Sequence, residues 1–161
     1  MNISRCMPTH PSATSSFMKL VRDAGMVVLH CTSSGQLKSN KKSDWIVDLL
    51  SASSLVRTAI ASNCNVWNSQ NVLDPVEAFQ GVWLAPVRES LNRRDGGFAI
   101  GVIVTDALCT SEYLHVLCQA SGADTKIIRD MLQSLSPVAT HDVSRIASMF
   151  QFAWEARASN E

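Results

Sequence analysis

The sequence predicts an α+β domain in which a central antiparallel sheet of about five strands is flanked by helices. Two runs, Met26–Cys31 and Phe98–Thr105, are short, apolar and rich in β-branched residues, as is typical of buried strands. The polar stretch Asn92–Gly97 contains Asp-Gly and Gly-Gly between two apolar runs, which indicates a hairpin. Helical spacing of apolar residues before and after these strands argues against regular βαβ alternation.

Length and charge restrict the function classes. The chain has 161 residues and a mass of 17.6 kDa, the size of one domain. Its 14 basic residues balance 14 acidic ones, so binding to nucleic acid through counterion release is not expected. No apolar run reaches the roughly 18 residues of a membrane span, and Met1–Ser16 lacks the apolar stretch of a signal peptide. We therefore expect a cytoplasmic protein with no nucleic-acid or membrane partner.

The first part of the chain predicts a leader, a helix and a strand. Residues 1–13 are expected to be a disordered leader, and residues 14–161 a single domain. Apolar residues at helical spacing over residues 14–24, followed by Gly25, predict a helix that ends at that glycine. After strand Met26–Cys31, Gln36 and Leu37 could form a short hairpin partner.

The next region predicts helices and then further strands. Asp44 is the expected N-cap of a helix that breaks at Ser51–Ser54 and resumes to about Ser62. The segments that follow predict a turn at Asn63–Asn65, a short strand at Val66–Asn68, a loop at Asn71–Gly81 and a strand at Val82–Val87.

Two residues within these strands predict local irregularities. Pro86 removes one ladder donor from its strand, which favours an edge strand or a bulge. Gly101 lies inside an otherwise apolar strand, which predicts a bulge or the close approach of another backbone.

From Thr110 onward the pattern is helical. Ser111, Asp124 and Asp142 are the expected N-caps of three helices, and Gly122 and Pro137 mark where the first two end. The long final helix has an apolar stripe at spacings of three and four, formed by Val143, Ile146, Ala147, Phe150, Ala153 and Trp154.

Residues 54–106 resemble the second half of a GAF domain, a small-molecule sensor module of bacterial signalling proteins. Leu55–Ser62 with Val66–Asn68 looks like the helix that leads into a short strand of that family. Trp83–Val87 and Gly97–Val104 are similar to its "small residue, Pro, apolar" strand and its glycine-containing hairpin arm. The resemblance implies a GAF/PAS-like sheet, since a PAS domain shares this arrangement of sheet and helices, and a final helix that contacts a partner or an output domain.

Four residues are the expected lining of a ligand pocket. Trp67 and Trp83 lie on predicted neighbouring strands, Phe79 lies in the loop between them, and Cys64 lies in a turn beside them. Tryptophan offers a large apolar face and one N–H donor, which suits a planar ligand. The alternative is that these aromatic residues simply fill the core. The sequence identifies neither the ligand nor a cofactor.

The cysteines allow a second class of hypothesis. The chain has five of them with wide spacings, which is typical of small buried hydrophobic residues in a reducing compartment. A small enzyme that uses Cys64 or Cys31 is the alternative. His115, Cys118 and Cys109 lack the spacing of a zinc site, and the sequence has no phosphate-loop or hydrolase motif.

These observations predict a non-catalytic small-molecule or redox sensing domain in bacterial signal transduction. Occupancy of the pocket would change how the terminal helices pack, and these helices would form a homodimer. An output domain or a partner protein would read that change. A small cysteine-dependent enzyme and a pure dimerisation module are the alternatives.

Overall fold

The structure, a computed structural model, describes residues 19, 21, 26–39, 44–90, 96–135 and 137–159. The predicted leader, most of the predicted first helix and the tip of the predicted hairpin lie outside the described residues. The elements in chain order are β1 Met26–Cys31, α1 Trp45–Ala52, α2 Ser54–Ser69, β2 Val76–Phe79, β3 Val82–Arg88, β4 Phe98–Val104, α3 Asp106–Cys109, α4 Tyr113–Ser121, α5 Thr125–Ser134, a 3₁₀ turn Thr140–Asp142 and α6 Val143–Ser159.

The predicted α+β class with an antiparallel sheet is confirmed, but the strand count is wrong. The described residues form one four-stranded sheet in the order β1-β4-β3-β2, and every pairing is antiparallel. Val66–Asn68, predicted as a strand, belongs to α2, while β2 lies in the segment predicted as a loop. Leu37 forms only an isolated bridge to Cys31 rather than a strand.

Strand β4 is central, and all seven of its side chains are buried. Successive side chains of a strand point to opposite faces, so β4 needs cover on both sides of the sheet. Helices α1 to α5 contribute to the core on one face, which we call the α2 face. Helix α6 covers the other face, which we call the α6 face.

Helix ends follow the predicted capping residues at several points. Asp44 accepts a hydrogen bond from the Val47 amide, and Ser53 both ends α1 and caps α2. Asp124 caps α5, and Gly122 ends α4 in the left-handed conformation, as predicted. The predicted turn at Asn63–Asn65 is wrong because α2 continues through it to Ser69.

Pro86 is neither on an edge strand nor in a bulge. Strand β3 lies between β2 and β4, and Pro86 pairs in register with Ile100. The pairing with β2 extends only from Val82 to Leu84, so Pro86 lies beyond the end of β2. A residue without an N–H is tolerated there because β2 offers no partner to it.

Gly101 marks a close approach by side chains, not a bulge or a second backbone. The register runs regularly through it, with Val28 and Ala85 as its neighbours. A Cβ added to Gly101 would clash with Met26 Cε and would lie 3.2 Å from the ring of Phe150. The missing side chain therefore makes room for α6 to pack against the sheet.

No helix among the described residues is long and apolar enough to cross a membrane.

We expect Gly101→Val to destabilise the protein by about 2 kcal/mol, because the added atoms overpack the contact between β4 and Phe150. Urea unfolding followed by tryptophan fluorescence measures this change. Ala156→Val, on the exposed side of the same helix, is the control and should cost less than about 0.7 kcal/mol. Equal effects of the two substitutions would contradict the account of how α6 packs.

Candidate functional site: a buried pair of thiols

Two cysteines far apart in the chain meet in the core of the α2 face. Cys31 Sγ, at the end of β1, lies 3.8 Å from Cys64 Sγ, in the middle of α2, and both side chains are fully buried. Cys31 points to this face because it alternates with His30, and Leu29 points the same way. Cys64 points inward because Ile60, Cys64 and Trp67 form one helical stripe. The pair therefore links the first strand to the longest helix of this layer.

The two thiols differ in their acidity. The hydrogen-bonding contact with Cys31 lowers the pKa of the Cys64 thiol, against the opposing effect of burial. The same contact with Cys64, together with burial, strongly raises the pKa of Cys31.

A short loop covers the pair on the side of β1 that faces away from β4. Leu37 lies opposite Cys31 and packs against the core, and Asn68 Nδ2 donates to the Ser33 carbonyl at 2.9 Å. Gly35 has a φ of +91°, and a Cβ there would lie 2.6 Å from Ala61 Cα. A glycine is required because the loop backbone rests directly on α2. We call residues 32–37 the cover loop.

Arg88 fixes the carboxyl end of α2, one turn beyond Cys64. Its Nη2 donates to the carbonyls of Trp67 and Gln70 at 2.9 and 2.8 Å, and its guanidinium lies 5.4 Å from the ring centre of Phe98. Cations bind favourably to the free carbonyls of a helix C-terminus. Nη1 is buried without a hydrogen-bond partner in the part of the chain that the structure describes.

The backbone of Arg88 contacts α6. Trp154 Nε1 donates to the Arg88 carbonyl at 2.8 Å, and the Arg157 guanidinium lies 4.0 Å from the centre of the Trp154 ring. Gln151 Nε2 donates to the carbonyls of Pro86 and Leu73. Arg88 thus touches α2 through its side chain and α6 through its main chain.

The structure does not bring the four predicted pocket residues together. Cys64, Trp67 and Phe79 share the core of the α2 face, whereas Trp83 packs with the cluster on the α6 face. Trp67 lies in a helix rather than a strand, and its ring contacts Phe98. Phe79 lies in β2 and contacts Tyr113. Trp83 is half-buried, and its indole N–H has no hydrogen-bond partner among the described residues.

An open groove lies elsewhere, between the cover loop and the two helices α1 and α2. Its volume is about 850 Å³, and none of the four predicted pocket residues lines it. The lining combines polar and apolar surface, and its polar side chains include Gln36, Lys38, Asp48, Ser51, Arg57 and Thr58. The groove shares one wall, residues 35–37, with the cover over the thiol pair.

The other chemistry-bearing residues do not join this site. His30 Nδ1 lies 2.7 Å from one carboxylate oxygen of Glu89, and the other carboxylate oxygen accepts a hydrogen bond from Lys38. Burial raises the pKa values of Cys109 and Cys118. His115 bonds to Thr125, and within the described ranges no three His, Cys, Asp or Glu side chains converge as metal ligands.

No protein family model, no curated protein and no solved structure matches the chain.

Sequence reasoning named Cys31 and Cys64 separately but did not pair them. The signal was present in two periodicities. Alternation along β1 places Cys31 with Leu29, and the spacing from Ile60 to Cys64 and Trp67 extends the stripe of α2. The predicted turn at Asn63–Asn65 interrupted that stripe, so the pairing was lost. No sequence pattern identified Arg88 as part of the site, because its role depends on where α2 ends.

We expect Arg88→Met to lower the free energy of unfolding by about 2 kcal/mol, because two carbonyls lose a charged donor. Chemical unfolding of the reduced protein measures the loss. Arg57→Met is the matched control, since Arg57 is exposed on the same helix layer, and it should cost less than about 0.5 kcal/mol. A loss at position 57 as large as that at position 88 would contradict the assigned role.

Proposed function

We propose that the chain is a sensory domain of the GAF type in which the redox state of the Cys31–Cys64 pair sets the packing of helix α6. The observation that carries this proposal is the 3.8 Å contact between two fully buried sulfurs on separate elements. We place the domain in the cytoplasm of a bacterial cell, where thiols are kept reduced and a disulfide is a signal rather than a permanent crosslink. An output domain or partner protein would read the change.

The chemistry is a reversible two-electron oxidation. The two thiols lose two protons and two electrons to an oxidant and form one S–S bond, and a cytosolic dithiol or glutathione reverses the reaction. The bond length of a disulfide is about 2.05 Å, so the sulfurs must approach each other by well over an ångström. Since β1 is held between β4 and Leu37, we propose that α2 makes most of this movement.

The path to α6 consists of direct contacts. A shift of α2 at Cys64 moves the Trp67 carbonyl, which Arg88 holds. The Arg88 carbonyl in turn holds Trp154 of α6. The Arg88 side chain contacts one helical layer and its main chain contacts the other. Movement of α2 therefore displaces Arg88 and changes the position in which α6 keeps its contact with the Arg88 main chain. Such a contiguous network is a physical route for coupling two sites.

The GAF assignment draws on the antiparallel sheet, the helices on both of its faces and the long final helix. Ligand sensing is the second candidate, and the open groove with its charged and hydroxyl side chains favours it. Lys38 and Arg57 beside several hydroxyl groups suit a small hydrophilic molecule better than the planar ligand expected from the tryptophans. The cysteine-enzyme alternative is less favoured, since His30 bonds to Glu89 and points away from Cys31.

We expect diamide, a thiol oxidant, to form the Cys31–Cys64 disulfide and to change amide hydrogen exchange in residues 143–157 by at least about fivefold, the lower end of typical coupling energies. Mass spectrometry of peptides identifies the disulfide, and exchange is compared between the reduced and oxidised full chain. Arg88→Met should still form the disulfide but lose the response of α6.

Two variants control that experiment. Cys64→Ser removes the disulfide and should leave exchange in α6 unchanged by the oxidant. Cys118→Ser alters a buried cysteine in α4 and should keep the full response. A disulfide that forms without any change in α6 would contradict the proposed coupling.

We also propose that α6 mediates a homodimer. Met149 and Phe152 are 47% and 75% exposed and lie on the solvent side of α6. An antiparallel pair of α6 helices centred between these residues would place Arg145 of one copy near Glu155 of the other. This self-complementary arrangement is what a two-fold interface requires.

Size-exclusion chromatography with light scattering should find a dimer that Phe152→Glu converts to a monomer. Phe152→Glu puts a charge into the centre of the apolar contact and should weaken association by at least about tenfold. Ile127→Glu is the control, because Ile127 is an exposed apolar residue on α5 and should leave the dimer intact. A monomeric wild-type chain at high concentration would contradict the proposal.

A further inference from the structure

We propose that the groove between the cover loop and helices α1 and α2 binds a short peptide of two or three residues, with its N-terminal ammonium at Asp48 and its C-terminal carboxylate at Arg57. This inference rests on the ligand-sensing candidate of the proposed function and does not depend on the chemistry of the thiol pair. The charges, hydroxyl groups and apolar side chains that line the groove support it, together with the ion pairs that these charges form or lack.

Two walls of the groove carry opposite charges at matching positions. Helices α1 and α2 meet at Ser53, which ends the first helix and caps the second. Asp48 lies about one helical turn before this junction and Arg57 about one turn after it, and both residues line the groove. The α1 wall therefore presents a carboxylate, and the α2 wall presents a guanidinium at a similar distance from the junction.

These two charges do not neutralise each other. Within the ranges that the structure describes, neither Asp48 nor Arg57 forms an ion pair, and both residues are exposed. Arg57 Nε donates to the Ser53 carbonyl at 3.4 Å, while its two Nη groups have no partner in the same part of the chain. A guanidinium can bind a carboxylate through two parallel hydrogen bonds. The groove thus offers one site for a carboxylate and a separate site for an ammonium group.

Lys38 also lines the groove, but its charge is already matched. Its Nζ lies 3.0 Å from one carboxylate oxygen of Glu89, and His30 contacts the other oxygen. Among the described lining residues, Arg57 is therefore the cation available to a ligand, and Asp48 balances it. A phosphate group carries only negative charge and would lie near the Asp48 carboxylate, which is unfavourable. A ligand with one positive and one negative end fits this charge distribution better.

The rest of the lining suits the middle of a peptide. Ser51, Ser54 and Thr58 bring three hydroxyl groups to the groove, and each can donate to a peptide carbonyl or accept from a peptide N–H. Leu37 and Val47 add apolar surface for an aliphatic side chain. The described lining contains no aromatic ring, so stacking on a nucleobase is not expected.

The size of the groove favours a peptide over a single amino acid. Its volume of about 850 Å³ lies within the range of sites that bind small organic ligands. An extended chain advances roughly 3.3–3.6 Å per residue, so two or three residues separate the charged ends by about 7–10 Å. A free α-amino acid holds both charged groups on one carbon and would leave most of the groove unfilled. A peptide can therefore contact both walls at once.

Isothermal titration calorimetry of the reduced full chain tests the ligand class. The probes are alanylleucine, its N-acetyl derivative, its C-terminal amide and free leucine. We expect alanylleucine to bind at least about fivefold more tightly than either blocked derivative, because each derivative loses one charge-assisted contact. Free leucine should also bind at least about fivefold more weakly than alanylleucine, because it cannot contact both walls.

Two substitutions assign each end of the peptide to its wall. Arg57→Gln should remove the preference for alanylleucine over its amide and keep the preference over the acetylated form. Asp48→Asn should have the reverse effect. Lys126→Gln and Asp130→Asn are the matched controls, because both residues are exposed on α5 outside the groove, and these variants should keep both preferences.

The outcomes separate this inference from the proposed function. Equal binding of alanylleucine and its two blocked derivatives, or no binding of alanylleucine at millimolar concentration, would overturn the inference. Free leucine that binds as tightly as the dipeptide would overturn it too. Inorganic phosphate that displaces the dipeptide at equal concentration would overturn the peptide class while ligand sensing stands. The redox proposal is tested by disulfide formation without any peptide, so none of these results affects it.

Discussion

The burial of β4 on both faces is the constraint on which the remaining structure depends. All seven of its residues are buried, so neither face of the sheet is exposed to water along this strand. The chain must therefore supply a helical layer for each side, and it does so with helices from different parts of the sequence. The consequence for function is that the thiol pair and the final helix lie on opposite sides of a rigid partition.

Contacts between the two helical layers occur where the sheet is incomplete. Strand β2 pairs with β3 only as far as Leu84, so the carbonyls of Pro86 and Arg88 lie beyond its end. Side chains of α6 use these carbonyls as acceptors. The Arg88 side chain meanwhile points to the α2 face, as alternation along β3 requires. A short β2 is thus what allows one residue to contact both layers.

The sequence alone predicts structural features that depend on neighbouring residues. It does not predict features that depend on packing or pairing with residues far away in the chain. Capping by Asp44 and Asp124 and the left-handed end at Gly122 follow from single residues, and each was predicted correctly. The continuation of α2 through Asn63–Asn65 was not, because burial of Cys64 and Trp67 outweighs the weak helix propensity of asparagine. Strand β2 is four residues long and exists through its pairing with β3, so its own residues predict little. The predicted pocket is wrong for the same reason. Trp67 lies in a helix rather than in the predicted strand, and Trp83 faces the other side of the sheet.

The burial of the thiols also favours the proposed sensor over a catalyst. An enzyme that uses a cysteine nucleophile must expose it to substrate in every turnover and keep a base beside it. Here the sulfurs lie beneath a loop that is tied to α2, and each is the hydrogen-bond partner of the other. A sensor needs to react only once per signal, so slow access to the sulfurs is acceptable for the proposed function. In the proposed sensor the same burial would transmit the result, since a bond formed between packed elements cannot be accommodated by a free side chain and would displace the helix that carries it.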